Sequence, residues 1–267
     1  MKRYFVIIIG SLLISETILA QFTDGNLFVY GGTISGPVKK VTVILNQENA
    51  PSHASKNVAW FDSLSRITKT AHYTIEKKST KDELVTDYTY QYVNDTCFCY
   101  EHNEKKHIDE LFKKICFDSS GKKNMAFYYY KDNLTNVDSF VYKKGFLSEY
   151  YSSEYKERIP QLRIINTYDS LGRLIKSHNV KEQSGYEITY RPSGNYTKRH
   201  YGNNKHEEKY VVNSKGQVVK EISDDNEIIY FHYDRYGNWQ KRVCTTDTHS
   251  FIGTVVQTTI RKIEYYE

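Results

Sequence analysis

Four glycines in the C-terminal half, Gly172, Gly194, Gly216 and Gly237, stand 22, 22 and 21 residues apart. A fixed period in this range marks a repeat architecture, in which each unit is one small supersecondary element. The clearest units read YDSLGRL at 168–174 and YDRYGNW at 233–239. Related stretches lie upstream at FDSLSRI (61–67), FDSSGKK (117–123) and VYKKGFL (141–147), and Ser65 takes the glycine position in the first of these. Four residues before that position stand Phe61, Phe117, Val141, Tyr168, Tyr190, Val212 and Tyr233, all aromatic or β-branched. Two residues after it stand Ile67, Lys123, Leu147, Leu174, Tyr196, Val218 and Trp239, and only Lys123 is neither apolar nor aromatic.

Turn chemistry accounts for these columns. Asp62, Asp118, Asp169, Asn213 and Asp234 occupy the first turn position, where a short polar side chain accepts backbone N–H bonds. The glycine that follows takes positive φ without steric cost. A type I turn closed in this way makes a short hairpin with a bulge. The predicted turn residues are Asp169, Gly172, Gly194, Asn213, Gly216, Asp234 and Gly237. The residues flanking each turn then meet across adjacent strands and supply the core, with Tyr168, Leu174, Val218, Tyr233 and Trp239 as its candidates.

Between the turns lie segments of about six or seven residues rich in Tyr, Val, Ile and Thr, such as GYEITYR, EEKYVVN and EIIYFHY. One period is therefore one hairpin. The chain is expected to be all-β, with repeated antiparallel hairpins forming one curved meander sheet or a partial barrel. Few prolines and no linker-like stretch predict one elongated domain over 21–267, clearest over 167–243. Residues 105–115 are ambiguous, because Ile108, Leu111, Phe112 and Ile115 have helical spacing inside a run of hairpins.

The N-terminus decides the expected compartment. Lys2 and Arg3 precede an apolar run from Tyr4 to Ile14, then small and polar residues and Ala20. That order is a secretory signal peptide over 1–20, and the run is about half the length that a membrane-spanning helix needs. No transmembrane helix is expected in the mature chain. Loss of two basic residues and one acidic residue takes the formal charge from +5 to +4. So mild and interspersed a charge argues against a nucleic-acid partner.

Cys97, Cys99, Cys116 and Cys244 permit up to two disulfides in an oxidising compartment. Cys97 and Cys99 share a strand face, which disfavours a bond between them. Their spacing does not match a zinc knuckle.

The YDSLGRLIK and YDRYGNWQKR units resemble the YD repeats of Rhs proteins and teneurins, over roughly Asn57 to Val243. The resemblance implies hairpin ribbons that curl into shells enclosing a toxin or presenting an adhesive surface. This chain is far shorter than the large members and ends in strand-like sequence where they carry a toxin. It looks more like small secreted repeat proteins of the Bacteroidetes type.

No nucleophile elbow, zinc-protease motif or phosphate loop is present, so no catalytic residue, metal ligand or cofactor is assigned. His102 and His107, and likewise His200 and His206, have spacings that place neither pair on one strand face. The 25 tyrosines are the strongest compositional signal. They shield a thin sheet or form a binding surface, and Tyr128, Tyr130, Tyr150 and Tyr151 are the ligand-binding candidates. The expected function is non-enzymatic binding outside the cytoplasm, with a surface glycan or a secreted or envelope protein as ligand. The alternatives are an immunity-type protein that neutralises a secreted effector, and an envelope hydrolase.

Overall fold

The computed structural model describes residues 34, 36–47, 54–75, 82–103, 107–153, 159–203, 205–224, 226–248 and 253–267. The signal-peptide reading of residues 1–20 falls outside them. The described residues form eighteen strands and no helix. In chain order, β1 is Val38–Gln47, β2 Ala54–Phe61, β3 Ile67–Ile75, β4 Glu83–Val93, β5 Thr96–Asn103 and β6 Ile108–Phe117. Then come β7 Lys123–Tyr130, β8 Asn133–Lys143, β9 Phe146–Ser152, β10 Gln161–Tyr168, β11 Leu174–Asn179 and β12 Ser184–Tyr190. The last six are β13 Tyr196–Tyr201, β14 Glu207–Val212, β15 Val218–Ile222, β16 Asn226–Tyr233, β17 Trp239–Thr248 and β18 Gly253–Tyr265.

The fold is all-β and antiparallel, as the turn pattern predicts. Sequential strands are neighbours from β2 to β9 and from β10 to β18, and β9 pairs with β10. β1 pairs with both β2 and β18, so the order of pairing returns to the first strand. Within the ambiguous segment, residues 108–115 lie in strand β6, which pairs with β5. Its helical spacing yields to the sheet, because each turn of this chain delivers a new strand beside the last.

Six turns share one hydrogen-bond set. The N–H at the glycine position donates to the carbonyl of the first turn residue at 2.9–3.0 Å, in the turns opening at 62, 118, 169, 191, 213 and 234. The N–H of that first residue donates to the carbonyl four residues on at 2.7–2.9 Å. In the five turns that open with Asp or Asn, side-chain Oδ1 accepts the N–H groups two and four residues later at 2.8–3.0 Å. The five glycines take φ of 76–89°, and Ser65 adopts the same left-handed region at 59°. The 141–147 stretch is different. Lys144 and Gly145 both have positive φ, which makes the two-residue turn between β8 and β9 of the tight I′ class.

The bulges fall where this geometry puts them. Register shifts lie between Trp60 and Phe61, Thr167 and Tyr168, and Val211 and Val212. The flanking columns then face each other: Phe61 opposite Ile67, Tyr168 opposite Leu174, Tyr190 opposite Tyr196 and Val212 opposite Val218.

The described residues divide into two compact units. One comprises residues up to 123 with 232–241 and 258–267, and the other 124–231 with 242–257. The first holds a packed apolar cluster of Ile34, Val38, Val41, Val43, Ala59, Phe61 and Ile67, against which Tyr90, Ile263 and Tyr265 lie. Alternation along β1 sends Val41 and Val43 to this cluster. In the same unit Trp239 is 7% exposed. Arg261 lies over its ring, with Cζ 4.0 Å from the centroid, and donates from Nε to the Trp239 carbonyl at 2.9 Å. The other four core candidates, Tyr168, Leu174, Val218 and Tyr233, are half-buried.

Trp239→Ala should cost about 3–5 kcal/mol, read by denaturant unfolding, and an unchanged midpoint would remove Trp239 from the core. A second comparison isolates packing from backbone conformation. Gly172 and Gly216 have φ of 77° and 76°, yet a Cβ at Gly172 would strike the Phe146 ring and one at Gly216 meets open space. Gly216→Ala should cost about 1–2 kcal/mol for the left-handed backbone alone, and Gly172→Ala at least about 1 kcal/mol more. Equal costs would show that the Phe146 contact carries no energy.

Candidate functional site

In the second unit, the register of β11 to β16 sorts the side chains onto two unlike faces. Lys176, Glu187, Arg199 and Glu207 are successive cross-strand partners on one face. They pair as ions, Lys176 to Glu187 at 2.8 Å and Arg199 to Glu207 at 3.0 Å, and Lys220 meets Glu227 at 2.8 Å in the same way. Glu187, Thr189, Arg199 and Lys209 are exposed, so this face is a solvated, charged surface.

The opposite face is half-buried and aromatic. Tyr190, Tyr196, Tyr210 and Glu221 follow one another across β12, β13, β14 and β15. Tyr196 and Tyr210 stack with centroids 4.4 Å apart and planes 12° apart, and Tyr190 tilts against Tyr196 at 5.5 Å. These rings cover one another, so they present edges and hydroxyls. The next row is Ile188, Lys198 and Glu208. The row beyond it is Tyr186 and His200, with His206 stacked on His200 at 4.0 Å and 11°.

Glu208 is the centre of this face. Its Oε2 accepts the Tyr210 hydroxyl at 2.7 Å and lies 3.2 Å from Lys198 Nζ. Its Oε1 is 3.4 Å from His206 Nε2, and His200 Nε2 stands 3.5 Å from Oε2. Burial by itself would raise the Glu208 carboxyl, but the Tyr210 hydroxyl and the Lys198 ammonium overcome it and hold the group at about 2. Burial, with Lys198 adding to it, pulls the His200 imidazole below its ordinary value. Glu221 moves the other way: burial raises it, against the Tyr230 hydroxyl, which donates to Oε1 at 2.6 Å, and against Arg242. Tyr196, Tyr210 and Tyr230 are all raised, chiefly by burial.

The convergence of His200 and His206 corrects the reading from their spacing. A separation of six is even and would share a face on one unbroken strand, but here the chain reverses between them. They lie on either side of the turn between β13 and β14, where the His200 N–H donates to the His206 carbonyl at 2.9 Å. The register across that turn was the missing term. His102 and His107 stay apart in role: His102 bridges Thr89 at 2.8 Å and Asp109 at 2.8 Å, and His107 is an exposed turn residue with φ of 52°.

The four tyrosine candidates do not form one surface. Tyr128 donates to Asp138 Oδ2 at 2.8 Å, and Tyr150 lies on the same face against Phe140 with centroids 5.4 Å apart. Tyr151 points to the other face and donates to Glu149 at 2.7 Å. Tyr130 is 62% exposed near the turn between β7 and β8, with Lys131 Nζ 5.5 Å from its ring centroid. Glu208, Glu221, Lys198 and the two histidines carry no motif, and only the alternation within β13 and β14 foreshadows their common face.

All four cysteines are free thiols. Register keeps Cys116 from Cys97 and Cys99: Cys97 faces Ile115 and Cys116 faces Thr96, so the thiols of neighbouring strands point to opposite sides. Burial pushes the Cys97 thiol up to about 11 and the Cys99 thiol up to about 12, against hydrogen bonds with Tyr92 and Tyr90. Thiols held protonated in this way are poor nucleophiles.

No protein-family model and no curated protein matches the chain. Among solved structures, it is similar to a porin-like protein from Bacteroides uniformis, with a TM-score of 0.51 and 11% identity, over 86% of this chain and 99% of that one. That likeness shows the fold. The chain also matches a TcdB2–TccC3–Cdc42 structure, with a TM-score of 0.37 and 14% identity, over 85% of this chain and 14% of that one. The Photorhabdus luminescens Tc holotoxin pore gives a TM-score of 0.37 and 14% identity, over 78% and 13%.

The two raised thiols set an alkaline limit. In the unfolded chain a thiol ionises near its ordinary value of about 8.5, whereas Cys97 and Cys99 stay protonated in the fold until about 11 and about 12. Their contribution is complete below about 8.5 and is lost as pH rises through the folded values. Chemical-denaturation midpoints should therefore begin to fall above about pH 8.5. The double variant Cys97→Ala, Cys99→Ala should delay that onset to about pH 10, where unfolded tyrosines begin to ionise. An identical onset in both proteins would mean that the thiols are not buried as described.

Proposed function

We propose that this chain is an exported, non-enzymatic binding protein of the cell envelope or secreted fraction, built on the YD-repeat plan, with a glycan as its ligand. The observation that carries this reading is the make-up of the half-buried face of β12 to β16. It consists of hydroxyl–carboxylate pairs, Tyr210 with Glu208 and Tyr230 with Glu221, set among imidazoles and an ammonium. Such a face offers hydrogen bonds to a polyhydroxy ligand. A protein interface of ordinary size has an apolar centre inside a polar rim, whereas the two most exposed large apolar side chains, Ile159 and Leu171, lie in a loop and a turn. Because the tyrosine rings stack on one another, a sugar would be held by their hydroxyls and the carboxylates, not by ring faces.

Three further features support the reading. The Asp–Gly turn set recurs with nearly constant geometry in the clearest repeats, which favours the YD-repeat plan. The N-terminal signal favours export. The charge on both faces of β11 to β16 favours a wet environment on each side. A membrane-spanning strand needs about 9–11 residues and an apolar, lipid-facing side, whereas β11, β13 and β14 have six residues and β15 has five. These four strands are therefore too short to cross a membrane, and on this reading β11 to β16 lie in water. The immunity-type reading would need an apolar docking patch, and a hydrolase built on Cys97 or Cys99 would have to use a thiol held protonated by burial.

The full chain should be tested against arrayed bacterial surface polysaccharides, with calorimetry on those that bind. Tyr210→Phe together with Glu221→Gln should weaken a true ligand about 10-fold or more, since hydrogen bonds to charged groups are lost. Arg199→Ala on the opposite face should leave affinity unchanged. Absence of glycan binding, with one stoichiometric protein recovered from an envelope extract, would replace the glycan with a protein partner.

A further inference from the structure

The His200, His206 and Glu208 ligand atoms, two imidazole nitrogens and a carboxylate oxygen, all lie within 4.8 Å of one another. Each comes from a fixed piece of backbone. His200 is in β13 opposite Tyr186, Glu208 is in β14 opposite Lys198, and His206 is tied to His200 by a backbone hydrogen bond of 2.9 Å. The separations from the imidazoles to the carboxylate, 3.4 Å and 3.5 Å, are long for hydrogen bonds. They run to different oxygens, Oε1 for His206 and Oε2 for His200, and the stacked imidazoles would have to tilt toward each other for an ion to reach all three residues at about 2.0–2.1 Å.

We propose that His200, His206 and Glu208 form a binding site for one divalent transition-metal ion, with zinc the best fit to the donor set. Imidazole and carboxylate together suit zinc, copper and nickel better than the all-oxygen ions magnesium and calcium. Two details of the surroundings point to a ligand. His200 Nε2 is buried without a hydrogen-bond partner, which a bound ion would supply. Lys198 and Tyr210 both engage Oε2 of Glu208, which turns Oε1 toward His206. Partners of this kind orient a ligating carboxylate. Lys198 also opposes a cation by its charge, so the site should be weaker than one without it. Three protein donors leave the fourth position to water or to an oxygen of a bound molecule.

The site shares Glu208 with the proposed glycan face, but its test reads metal alone. Equilibrium dialysis of the full chain against zinc should retain one ion per chain. His206→Asn and Glu208→Gln should each weaken retention about 10-fold or more, with thermal unfolding used to establish that each variant is folded. Cobalt bound to the unaltered chain provides a reading that needs no variant: visible bands of nitrogen and oxygen ligation are expected. No retained zinc, retention unchanged in the folded His206→Asn and Glu208→Gln variants, or a thiolate charge-transfer band that places the ion on cysteine would each overturn the proposal.

Discussion

One side-chain oxygen, repeated, organises much of this molecule. In five turns the Oδ1 of an Asp or Asn accepts two backbone N–H groups, two and four residues on. That bond set fixes where the chain reverses and which residue takes positive φ. A bulge lies beside three of these turns, and a strand's side chains change face with every one-residue change of register. The opposed columns, such as Tyr168 with Leu174 and Val212 with Val218, follow from it. The turn opening at Arg191 keeps the same backbone bonds without a capping side chain. The backbone conformation with glycine is therefore sufficient there, and the side-chain oxygen adds to it.

Strict alternation then divides β11 to β16 into a charged outer ladder and a half-buried face of tyrosines, carboxylates and imidazoles. On these strands both faces carry charge. The tyrosines do the work that aliphatic side chains perform in the other unit, where Val41, Val43 and Phe61 pack in one cluster. A ring buries large apolar area and still leaves a hydroxyl to engage a carboxylate. That dual character makes the face both a packing layer and the candidate binding site.

Several features are legible in the sequence alone. The period of the glycines, the Asp or Asn at the first turn position and the flanking apolar columns identify hairpins, because turn chemistry is local and depends on few residues. The sequence also marked Trp239 for the core. Residues 105–115 were not legible: Ile108, Leu111, Phe112 and Ile115 fit a helix equally well, and pairing with β5 decides for a strand. The 141–147 stretch looks like the other repeats, yet Lys144 and Gly145 close a tighter turn.

By itself, then, the sequence determined an all-β antiparallel chain and the places where it turns. Both rest on residues within about four positions of one another. The tertiary structure alone decided that β1 pairs with both β2 and β18, and that His200, His206 and Glu208 converge. It also separated Cys97 from Cys116 by face. These outcomes depend on register between strands, a relation set by pairing partners distant along the chain and absent from any single segment.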